Sequence, residues 1–283
     1  MIESCFRDDS LGKGPKMNSL KGLMDLRGRV ALVTGAGGNI GAVICEALAE
    51  LGAAIVMLDK AEKQCGDVAR QIHDRYGVET CVLGTDLTSD EKIQFVPQRV
   101  IDRFKRLDIV VNSAALVGTS DLKGWAVPLP EQSTDTWRAA LEVNLTSVFM
   151  LVQACAGALA ESGHGSVINI CSIYGMVGPD MRLYEGTALG NPAAYSASKG
   201  GLLQVTRWFA TVLAPDVRIN AISPGGVWRN QPEEFRRRYA DRTPLRRMAT
   251  EEDLKGAVAY LASDLSSYVT GHNLVVDGGW TAW

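Results

Sequence analysis

Residues 30–41 read Val-Ala-Leu-Val-Thr-Gly-Ala-Gly-Gly-Asn-Ile-Gly, and this stretch decides the fold. A short apolar run ends in a glycine-rich turn, and the alanine- and leucine-rich helical pattern Ile40–Leu51 follows at once. Glycines permit a tight strand-to-helix turn and let the backbone approach a pyrophosphate, which binds at the positive N-terminus of the helix. The predicted residues of this dinucleotide site are Gly35, Gly37, Gly38, Asn39, Ile40 and Gly41.

The same alternation of short apolar runs and helical patterns continues along the chain. The predicted strands are Val30–Thr34, Ala53–Asp59, Thr80–Thr85, Ile109–Asn112, Ser166–Cys171, Arg218–Ile222 and Asn273–Val276. The helical patterns are Ile40–Leu51, Ala61–Tyr76, Asp90–Arg106, Thr134–Glu161, Pro192–Leu213 and Glu251–Ser263. Strands that are apolar at their centres are covered on both faces, and their alternation with helices indicates parallel βαβ units. We therefore predict class α/β: a single-domain Rossmann fold over residues 25–283, a doubly wound seven-stranded parallel sheet with helices on both faces. A flexible tail is expected over residues 1–24.

Composition and charge argue against several classes of partner. The chain has 283 residues, a formal net charge of −3, and 46% hydrophobic and 22% charged residues, which are ordinary globular values. We expect no nucleic-acid partner, because such partners favour clustered Lys and Arg. We expect no membrane partner and no signal peptide, because no apolar run approaches the length of a membrane span. Three isolated histidines and six scattered cysteines argue against a metal site and indicate free thiols in the cytoplasm.

Asp59 ends the second predicted strand. A carboxylate at this place can bond the adenosine ribose 2′-hydroxyl and would repel a 2′-phosphate. NAD(H) is therefore favoured, but Lys60 follows directly and could weaken the preference, so NADP(H) stays open as an alternative. A simpler interpretation is that Asp59 only caps the following helix.

Tyr195 and Lys199 lie four residues apart in a segment that opens a helix at Asn191-Pro192, so they share one helix face. A free tyrosine is a poor base at neutral pH because its pKa is about 10. A neighbouring ammonium and the helix N-terminus would stabilise the phenolate and lower that pKa. Alone, a Tyr-x-x-x-Lys pattern is usually surface amphipathy, so further elements must support an acid/base site.

Such elements occur in the order typical of short-chain dehydrogenases/reductases, and the chain resembles that family from about Leu26 to the C-terminus. The corresponding elements are Thr34–Gly41, Asp86, Asn112-Ser113-Ala114-Ala115, Val143-Asn144-Leu145, Ser172, Tyr195, Lys199, Pro224-Gly225 and Asp277-Gly278-Gly279. The resemblance implies that the catalytic residues are Asn144, Ser172, Tyr195 and Lys199. It implies further cofactor contacts at Asp86, Leu87, Asn112, Ala114, Tyr195, Lys199, Pro224, Gly225 and Val227.

The resemblance also implies a role for each catalytic residue. Tyr195 would act as general acid in reduction and as general base in oxidation. Ser172 would donate a hydrogen bond to the substrate oxygen, and Lys199 would hold the nicotinamide ribose while shifting the pKa of Tyr195. Asn144 would hold a water that relays protons to solvent. The simpler interpretations are that Asn144 kinks or caps a helix and that Ser172 merely ends a strand.

Four positions depart from the family pattern. Asn39 replaces the middle glycine of Thr-Gly-x-x-x-Gly-x-Gly; since Asn tolerates a positive φ better than other non-glycine residues, the turn should survive. As written, the run matches Thr-Gly-x-x-Gly-x-x-Gly, the spacing of the extended branch of nucleotide-sugar epimerases and dehydratases. Too few residues follow Lys199 for the substrate domain of that branch, which favours the single-domain branch. Ser113 and Ala115 alter the Asn-Asn-Ala-Gly element, and Arg229 replaces a threonine that often contacts the nicotinamide carboxamide.

A long insertion separates the catalytic serine from the catalytic tyrosine. Because both flanking residues should face the substrate, Arg182, Tyr184 and Glu185 are candidates to contact a polar substrate at the pocket mouth. The polar segment Asn230–Pro244 is the expected lid.

The leading hypothesis is an NAD(H)-dependent oxidoreductase that interconverts a secondary alcohol and a ketone on a small polar substrate. One form of this hypothesis has a sugar-derived substrate. The insertion and the Trp280-Thr281-Ala282-Trp283 ending weakly resemble bacterial family members of surface-sugar or polysaccharide biosynthesis. One alternative is an NADPH-dependent 3-oxoacyl thioester reductase, and another is a non-catalytic dinucleotide-binding sensor, since fold does not determine function. The resemblance implies a homo-oligomer, a dimer or a homotetramer, built through the helices that contain Asn144 and Tyr195.

Overall fold

The computed structural model describes residues 18–118 and 120–283, and their centre is one seven-stranded sheet. The strands are β1 (Val30–Thr34), β2 (Ala54–Asp59), β3 (Thr80–Gly84), β4 (Ile109–Asn112), β5 (Gly165–Ile170), β6 (Val217–Pro224) and β7 (Asn273–Val276). Every neighbouring pair is parallel, in the order β3-β2-β1-β4-β5-β6-β7. The predicted doubly wound, seven-stranded parallel sheet is confirmed.

Helices connect the strands. Those of the described residues are α1 (Leu20–Met24), α2 (Asn39–Glu50), α3 (Glu62–Tyr76), α4 (Asp90–Gln94), α5 (Val96–Phe104), α6 (Thr134–Leu141), α7 (Ser147–Glu161), α8 (Ala193–Val212), α9 (Glu233–Arg242) and α10 (Lys255–Ala262). Short 3₁₀ turns lie at Leu129–Glu131, Ile173–Gly175, Met181–Leu183, Glu251–Leu254 and Asp264–Ser266. The predicted helix Asp90–Arg106 is divided in two at Phe95, because Pro97 lacks the N–H needed inside a helix but is accepted in its first turn.

The helices cover both faces of the sheet, as predicted. In β1, Val30 and Leu32 belong to the core cluster that includes residues of α4, α5, α7 and α8. Ala31 and Val33 belong to the opposite cluster, which includes residues of α2, α3 and α10. Because the strand buries side chains on both faces, its sequence is a continuous apolar run without polar alternation.

The predicted helix Thr134–Glu161 contains a π-helical turn, Glu142–Thr146, between α6 and α7. By length and composition this helix could cross a membrane, contrary to the expectation that no such run exists. In the fold, α7 packs its apolar face into the core. Its buried apolar side chains are Val148, Leu151, Val152, Cys155 and Leu159. Core packing therefore explains the apolar character of this helix.

Two segments contain more regular structure than expected. Asn230–Pro244, predicted as a polar lid, contains α9, whose Phe235 and Tyr239 are buried. These two residues lie four apart and so face the same side of the helix. In the predicted tail, residues 1–17 lie outside the described residues, and Ser19 caps the short helix α1 through its hydroxyl.

Candidate active site

A cavity of about 390 Å³ lies at the carboxyl ends of β4, β5 and β6, and Ile40 of α2 forms part of its wall. The strand order places β2 on one side of β1 and β4 on the other, so the connections leave β1 in opposite directions. Open α/β sheets bind ligands beside such a reversal, outside the carboxyl ends of the strands. The cavity is therefore where the fold predicts a site.

The glycine turn between β1 and α2 has no room for side chains at two positions. A Cβ at Gly35, which has φ 66°, would lie 2.7 Å from the Cα of Ala114, and one at Gly41 would lie 2.1 Å from the carbonyl oxygen of Gly35. Asn39 begins α2 and does not have a positive φ. The turn survives, as expected, but the proposed reason was wrong: Asn39 occupies an ordinary helical position.

Asp59, at the end of β2, contacts the glycine turn. Its Oδ2 accepts a hydrogen bond from the backbone N–H of Gly37 at 3.1 Å, and its Oδ1 accepts one from Ala61 at 3.0 Å. The N-cap of α3 is Ala61, so the capping interpretation of Asp59 is wrong in detail, although its carboxylate holds the chain entering that helix. Lys60 beside it is exposed. The carboxylate therefore lies beside the glycine turn, and its predicted contact with a ribose stays a prediction.

Asp86 and Leu87 follow β3 at the same edge of the sheet. Oδ1 of Asp86 accepts hydrogen bonds from the backbone N–H and the hydroxyl of Thr88, at 3.0 and 2.9 Å, and these bonds lower the pKa of Asp86. Leu87 is half-buried against the core. Neither residue lines the cavity, and their predicted cofactor contacts stay predictions.

The loop after β4 is tied to the glycine turn. Thr34 Oγ1 accepts hydrogen bonds from the backbone N–H groups of Ser113 at 3.0 Å and Ala114 at 3.1 Å. Ser113 and Ala115, the two departures in this element, both line the cavity. The altered element therefore keeps the loop in place and presents small side chains to the cavity.

Asn112 ends β4 and begins a buried chain of hydrogen bonds. Its Nδ2 donates to Oδ1 of Asn169 on β5 at 2.8 Å, and Nδ2 of Asn169 donates to Oγ1 of Thr206 on α8 at 2.9 Å. Oδ1 of Asn112 is buried and has no partner among the described residues. An unpaired buried acceptor is costly and calls for an explanation. Asn112 does not line the cavity, and its predicted cofactor contact stays a prediction.

Asn144 is fully buried in the π-helical turn between α6 and α7. Its Oδ1 accepts from the backbone N–H of Leu116 at 2.7 Å, and its Nδ2 donates to the carbonyl of Leu116 and to Oγ of Ser198, both at 3.0 Å. π-Helical turns are frequent at functional sites. Here the turn directs the amide at the loop after β4, so Asn144 positions that loop. The predicted water relay stays a prediction.

The predicted serine, tyrosine and lysine come together in the cavity. Ser172 follows β5, and Tyr195 and Lys199 lie on α8, one turn apart. Nζ of Lys199 donates to the carbonyl of Ile170 at 2.6 Å and lies 5.9 Å from the centroid of the Tyr195 ring. Oγ of Ser172 accepts a hydrogen bond from the backbone N–H of Tyr174 at 3.2 Å.

Burial dominates the protonation of the tyrosine and the lysine. It raises the pKa of Tyr195, opposed by a hydrogen bond with Ser172 and by the positive charge of Arg229. It lowers the pKa of Lys199 to about 8. The expected lowering of the Tyr195 pKa by Lys199 is not found, because the ammonium is bound to the Ile170 carbonyl and is itself costly to charge when buried. The phenol is therefore protonated at neutral pH.

The end of β6 forms another wall of the cavity, which includes Pro224, Gly225 and Val227. Their predicted cofactor contacts stay predictions. The backbone N–H of Gly225 donates to the carbonyl of Val276 at 2.9 Å, and Val227 forms an isolated parallel bridge with Ala249. The wall is therefore held by β7 on one side and by the segment at Ala249 on the other.

Of the three predicted substrate residues, the structure brings only Tyr184 to the cavity. Arg182 forms an ion pair with Asp180 at 2.7 Å, and its side chain is 74% exposed. Glu185 is exposed outside the cavity. The structure therefore places two of the three predicted residues outside the cavity, and the substrate contacts of all three stay predictions.

Several cavity residues were not predicted. Arg229 was recognised only as a departure, and Gln231, Phe235, Tyr239 and Met248 were missed. The spacing of Phe235 and Tyr239, four residues apart in a charged segment, could have indicated an inward helix face.

The residues at this edge fit a dinucleotide. No side chain of the described residues caps the N-terminus of α2, which leaves its first N–H groups for a phosphate. The Asp59 carboxylate and the unpaired Oδ1 of Asn112 add polar atoms on either side of β1. Over residues 18–118 and 120–283, no three His, Cys, Asp or Glu side chains are grouped to hold a metal ion.

A family model described as enoyl-(acyl carrier protein) reductase matches residues 35–281, which is most of the chain. The chain belongs to the short-chain dehydrogenase/reductase family. Its relatives act on CH–OH groups, and the chain is an oxidoreductase of this kind. Among the relatives of this short-chain dehydrogenase/reductase is a cis-4-hydroxycyclohexanecarboxylate dehydrogenase of Sinomonas cyclohexanicum. It is 36% identical, over 90% of this chain and 97% of the relative. A 3-oxoacyl-[acyl-carrier-protein] reductase of Aquifex aeolicus is 30% identical, over 90% of this chain and 98% of that protein.

Solved structures of the family superpose closely. A gluconate 5-dehydrogenase of Burkholderia cenocepacia, in complex with NADP and tartrate, has a TM-score of 0.82 and 30% identity, covering 92% of this chain and 98% of its own. An NAD⁺-bound xylitol dehydrogenase has a TM-score of 0.80 and 30% identity, covering 90% of this chain and 99% of its own. Similar proteins thus bind either nicotinamide cofactor.

Proposed function

We propose that this short-chain dehydrogenase/reductase uses NAD(H) to interconvert a secondary alcohol and a ketone on a small substrate with a largely apolar body. The convergence of Ser172, Tyr195 and Lys199 in one cavity carries this proposal. Asp59 supports NAD(H), because its carboxylate beside the glycine turn would repel a 2′-phosphate. In this proposal, residues 25–283 form the catalytic domain, preceded by a tail.

Residues of the protein donate or accept the proton and stabilise the charge that develops on the substrate oxygen. The bound cofactor supplies or accepts the hydride. In reduction, the Tyr195 phenol donates its proton to the substrate oxygen as general acid. Its raised pKa keeps the proton available at neutral pH. The Ser172 hydroxyl donates a hydrogen bond to the same oxygen, where negative charge develops. In oxidation the phenol must first lose its proton, a step that the hydrogen bond with Ser172 favours, so oxidation becomes faster as pH rises.

The cavity walls favour an apolar substrate body over a sugar. The apolar side chains of the wall include Val117, Ile173, Leu189, Phe235 and Met248. A sugar would need many polar contacts, and the polar residues expected from the insertion point elsewhere. A ring alcohol of the kind named for the Sinomonas relative matches these walls better than the sugars of the galactose dehydrogenase and sorbose reductase relatives.

Initial rates with NAD⁺ and NADP⁺ test this function on a panel of 4-hydroxycyclohexanecarboxylate isomers, gluconate, xylitol, galactose and glycerol. We expect NAD⁺-linked turnover, highest for the ring alcohols. Tyr195→Phe should lower kcat by about 100-fold or more, the contribution of a positioned general acid or base. Tyr76→Phe is the matched control, because that phenol bonds Glu46 outside the cavity. Unchanged turnover in Tyr195→Phe would refute the mechanism.

A 3-oxoacyl thioester reductase is the second candidate. Two relatives with this name are 30% and 31% identical, and the apolar walls would also accept an acyl chain. The Asp59 carboxylate weighs against the NADPH that this alternative requires. Acyl-thioester reduction with a marked preference for NADPH would favour it. The non-catalytic sensor has no support, because the chain is an oxidoreductase with its catalytic set assembled.

We also infer that the protein forms a homo-oligomer and that the complete assembly is a homotetramer. Phe149 on α7 and Trp208 and Val212 on α8 are 36%, 51% and 52% exposed, and the first two rings lie 6.5 Å apart. Exposed apolar patches of this kind mark protein interfaces. Val275 on the edge strand β7 and Trp283 offer a second face. Light scattering tests this: Trp208→Lys should lower the molecular mass.

We place the enzyme in the cytoplasm. The five described cysteines are free, and four are buried; the fifth, Cys81, is half-buried. Burial raises the pKa of these buried thiols and keeps them unreactive, as suits a reducing compartment.

A further inference from the structure

Arg229 lines the catalytic cavity with a charge that the proposed chemistry does not use. Of the described residues in the cavity wall, Lys199 and Arg229 are the charged ones, and both are cations. Nζ of Lys199 is already bound to the carbonyl of Ile170. The charge of Arg229 reaches the reacting group, because it favours the phenolate of Tyr195. The cavity therefore favours a ligand with a negative charge.

Neighbouring residues hold Arg229 from one side. Its Nε donates to Oε1 of Glu251 at 3.1 Å, and its backbone N–H donates to Oε1 of Gln231 at 2.6 Å. Nε2 of Gln231 donates in turn to the carbonyl of Val227 at 2.9 Å. Within residues 18–118 and 120–283, the terminal nitrogens Nη1 and Nη2 of Arg229 have no hydrogen-bond partner. The guanidinium is thus oriented, and its outer edge is available.

The free edge suits a carboxylate. A guanidinium offers parallel N–H donors that match the two oxygens of a carboxylate. Because Glu251 already pairs with Nε, the free edge can stabilise little further negative charge, which fits a monocarboxylate better than a phosphate dianion. The side chain of Arg229 is 34% exposed, so the anion would be partly shielded from water and the pairing would be stronger than on an open surface.

We propose that Arg229 binds a carboxylate of the substrate and determines specificity for it. The substrate class is then an apolar ring or chain that carries a secondary alcohol and, away from it, a carboxylate. Glu251 is a positioning residue that orients the guanidinium. This inference rests on the proposed function, since the alcohol must reach Tyr195 while the carboxylate reaches Arg229.

The test compares acids with matched neutral esters. The substrates are 4-hydroxycyclohexanecarboxylate and its methyl ester, used with wild type, Arg229→Met, Arg229→Lys and Glu251→Gln. The control is Arg236→Met, because Arg236 pairs with Glu233 on α9 outside the cavity. For Arg229→Met we expect the ratio of kcat/KM for the acid to kcat/KM for the ester to fall about 30- to 300-fold, the range for loss of a charged hydrogen-bonded pair. A smaller loss common to both substrates follows, because the charge of Arg229 no longer favours the phenolate of Tyr195. Arg229→Lys should restore part of the loss, and Glu251→Gln should mainly raise KM for the acid.

A binding measurement separates the carboxylate site from the reaction. Cyclohexanecarboxylate should raise the Tm of the wild type and not that of Arg229→Met, whereas cyclohexanemethanol should act equally on both. If no alcohol is oxidised while this difference in Tm persists, the proposed function fails and the carboxylate site stands.

Three outcomes would overturn the inference. Equal losses for the acid and the ester would mean that Arg229 only supports the active site. A rise in KM for NAD⁺ with an unchanged acid-to-ester ratio would assign the guanidinium to the cofactor. Equal effects of cyclohexanecarboxylate on the Tm of both proteins would show that no carboxylate binds there.

Discussion

Replacing Asn144 with alanine tests whether this residue positions the loop after β4. The side chain is fully buried, and its amide makes three hydrogen bonds, two to the backbone of Leu116 and one to Ser198. Alanine would leave the N–H and carbonyl of Leu116 without partners. Each unsatisfied buried group costs about 1–3 kcal/mol, and Leu116 is only half-buried, so water can compensate in part. We expect the free energy of unfolding to fall by about 2–4 kcal/mol.

Urea unfolding, followed by tryptophan fluorescence, measures this change, and steady-state kinetics measures its effect on turnover. Gln98→Ala is the control, since Gln98 bonds only Asp102 on the exposed side of α5 and its loss should change stability by less than about 0.5 kcal/mol. If Asn144→Ala is as stable as Gln98→Ala but inactive, then Asn144 acts directly in proton transfer and the positioning role is wrong.

Three further changes test the cofactor edge and the buried lysine. In Gly41→Ala, a Cβ would lie 2.1 Å from the carbonyl oxygen of Gly35, so we expect the Kd for NAD⁺ in calorimetric titration to rise by about tenfold or more as the turn opens; an unchanged Kd would contradict a phosphate site there. Asp59→Ser should lower the ratio of kcat/KM for NAD⁺ to that for NADP⁺ by about tenfold or more, because the repulsion of a 2′-phosphate is removed; a constant ratio would exclude Asp59 as the selector. Burial lowers the pKa of Lys199 to about 8 from its ordinary 10.5. Between those values the unfolded chain binds a proton that the folded chain does not, so folding gains stability as pH rises. The difference in free energy of unfolding between wild type and Lys199→Met should therefore shift in favour of wild type from pH 8 to pH 10. A difference that does not change with pH would refute the lowered pKa of Lys199.

The sheet was readily predicted because its strands are buried on both faces. Such strands are continuous apolar runs, so the predicted Ala53–Asp59 differs from the observed β2 by one residue. The convergence of Ser172, Tyr195 and Lys199 could be predicted because the tyrosine and the lysine share a helix and a family pattern supplied the serine. Their meeting point follows from parallel topology, which brings the carboxyl ends of strands to one edge.

The orientation of the insertion between Ser172 and Tyr195 could not be predicted, because it depends on packing against residues that are distant in the sequence. In the 3₁₀ turn Met181–Leu183, Leu183 is buried in a cluster with Ile173 and Trp280. Burying Leu183 turns its neighbour Arg182 outward, towards Asp180. α9 was missed because charged residues surround its two buried aromatic residues, so its polarity resembled that of a loop.

The hydrogen-bond chain from Asn112 through Asn169 to Thr206 fixes the separation between the end of β4 and α8. The amide of Asn169 accepts from Asn112 on one side and donates to Thr206 on the other, so α8 cannot slide by one turn without breaking the chain. Tyr195 lies about three helical turns before Thr206 and therefore on the same side of α8. The position of Tyr195 relative to the sheet is thus fixed by contacts that do not involve the insertion between Ser172 and Tyr195. That insertion can therefore be exchanged, in evolution or by design, without breaking the hydrogen bonds that join Asn112, Asn169 and Thr206.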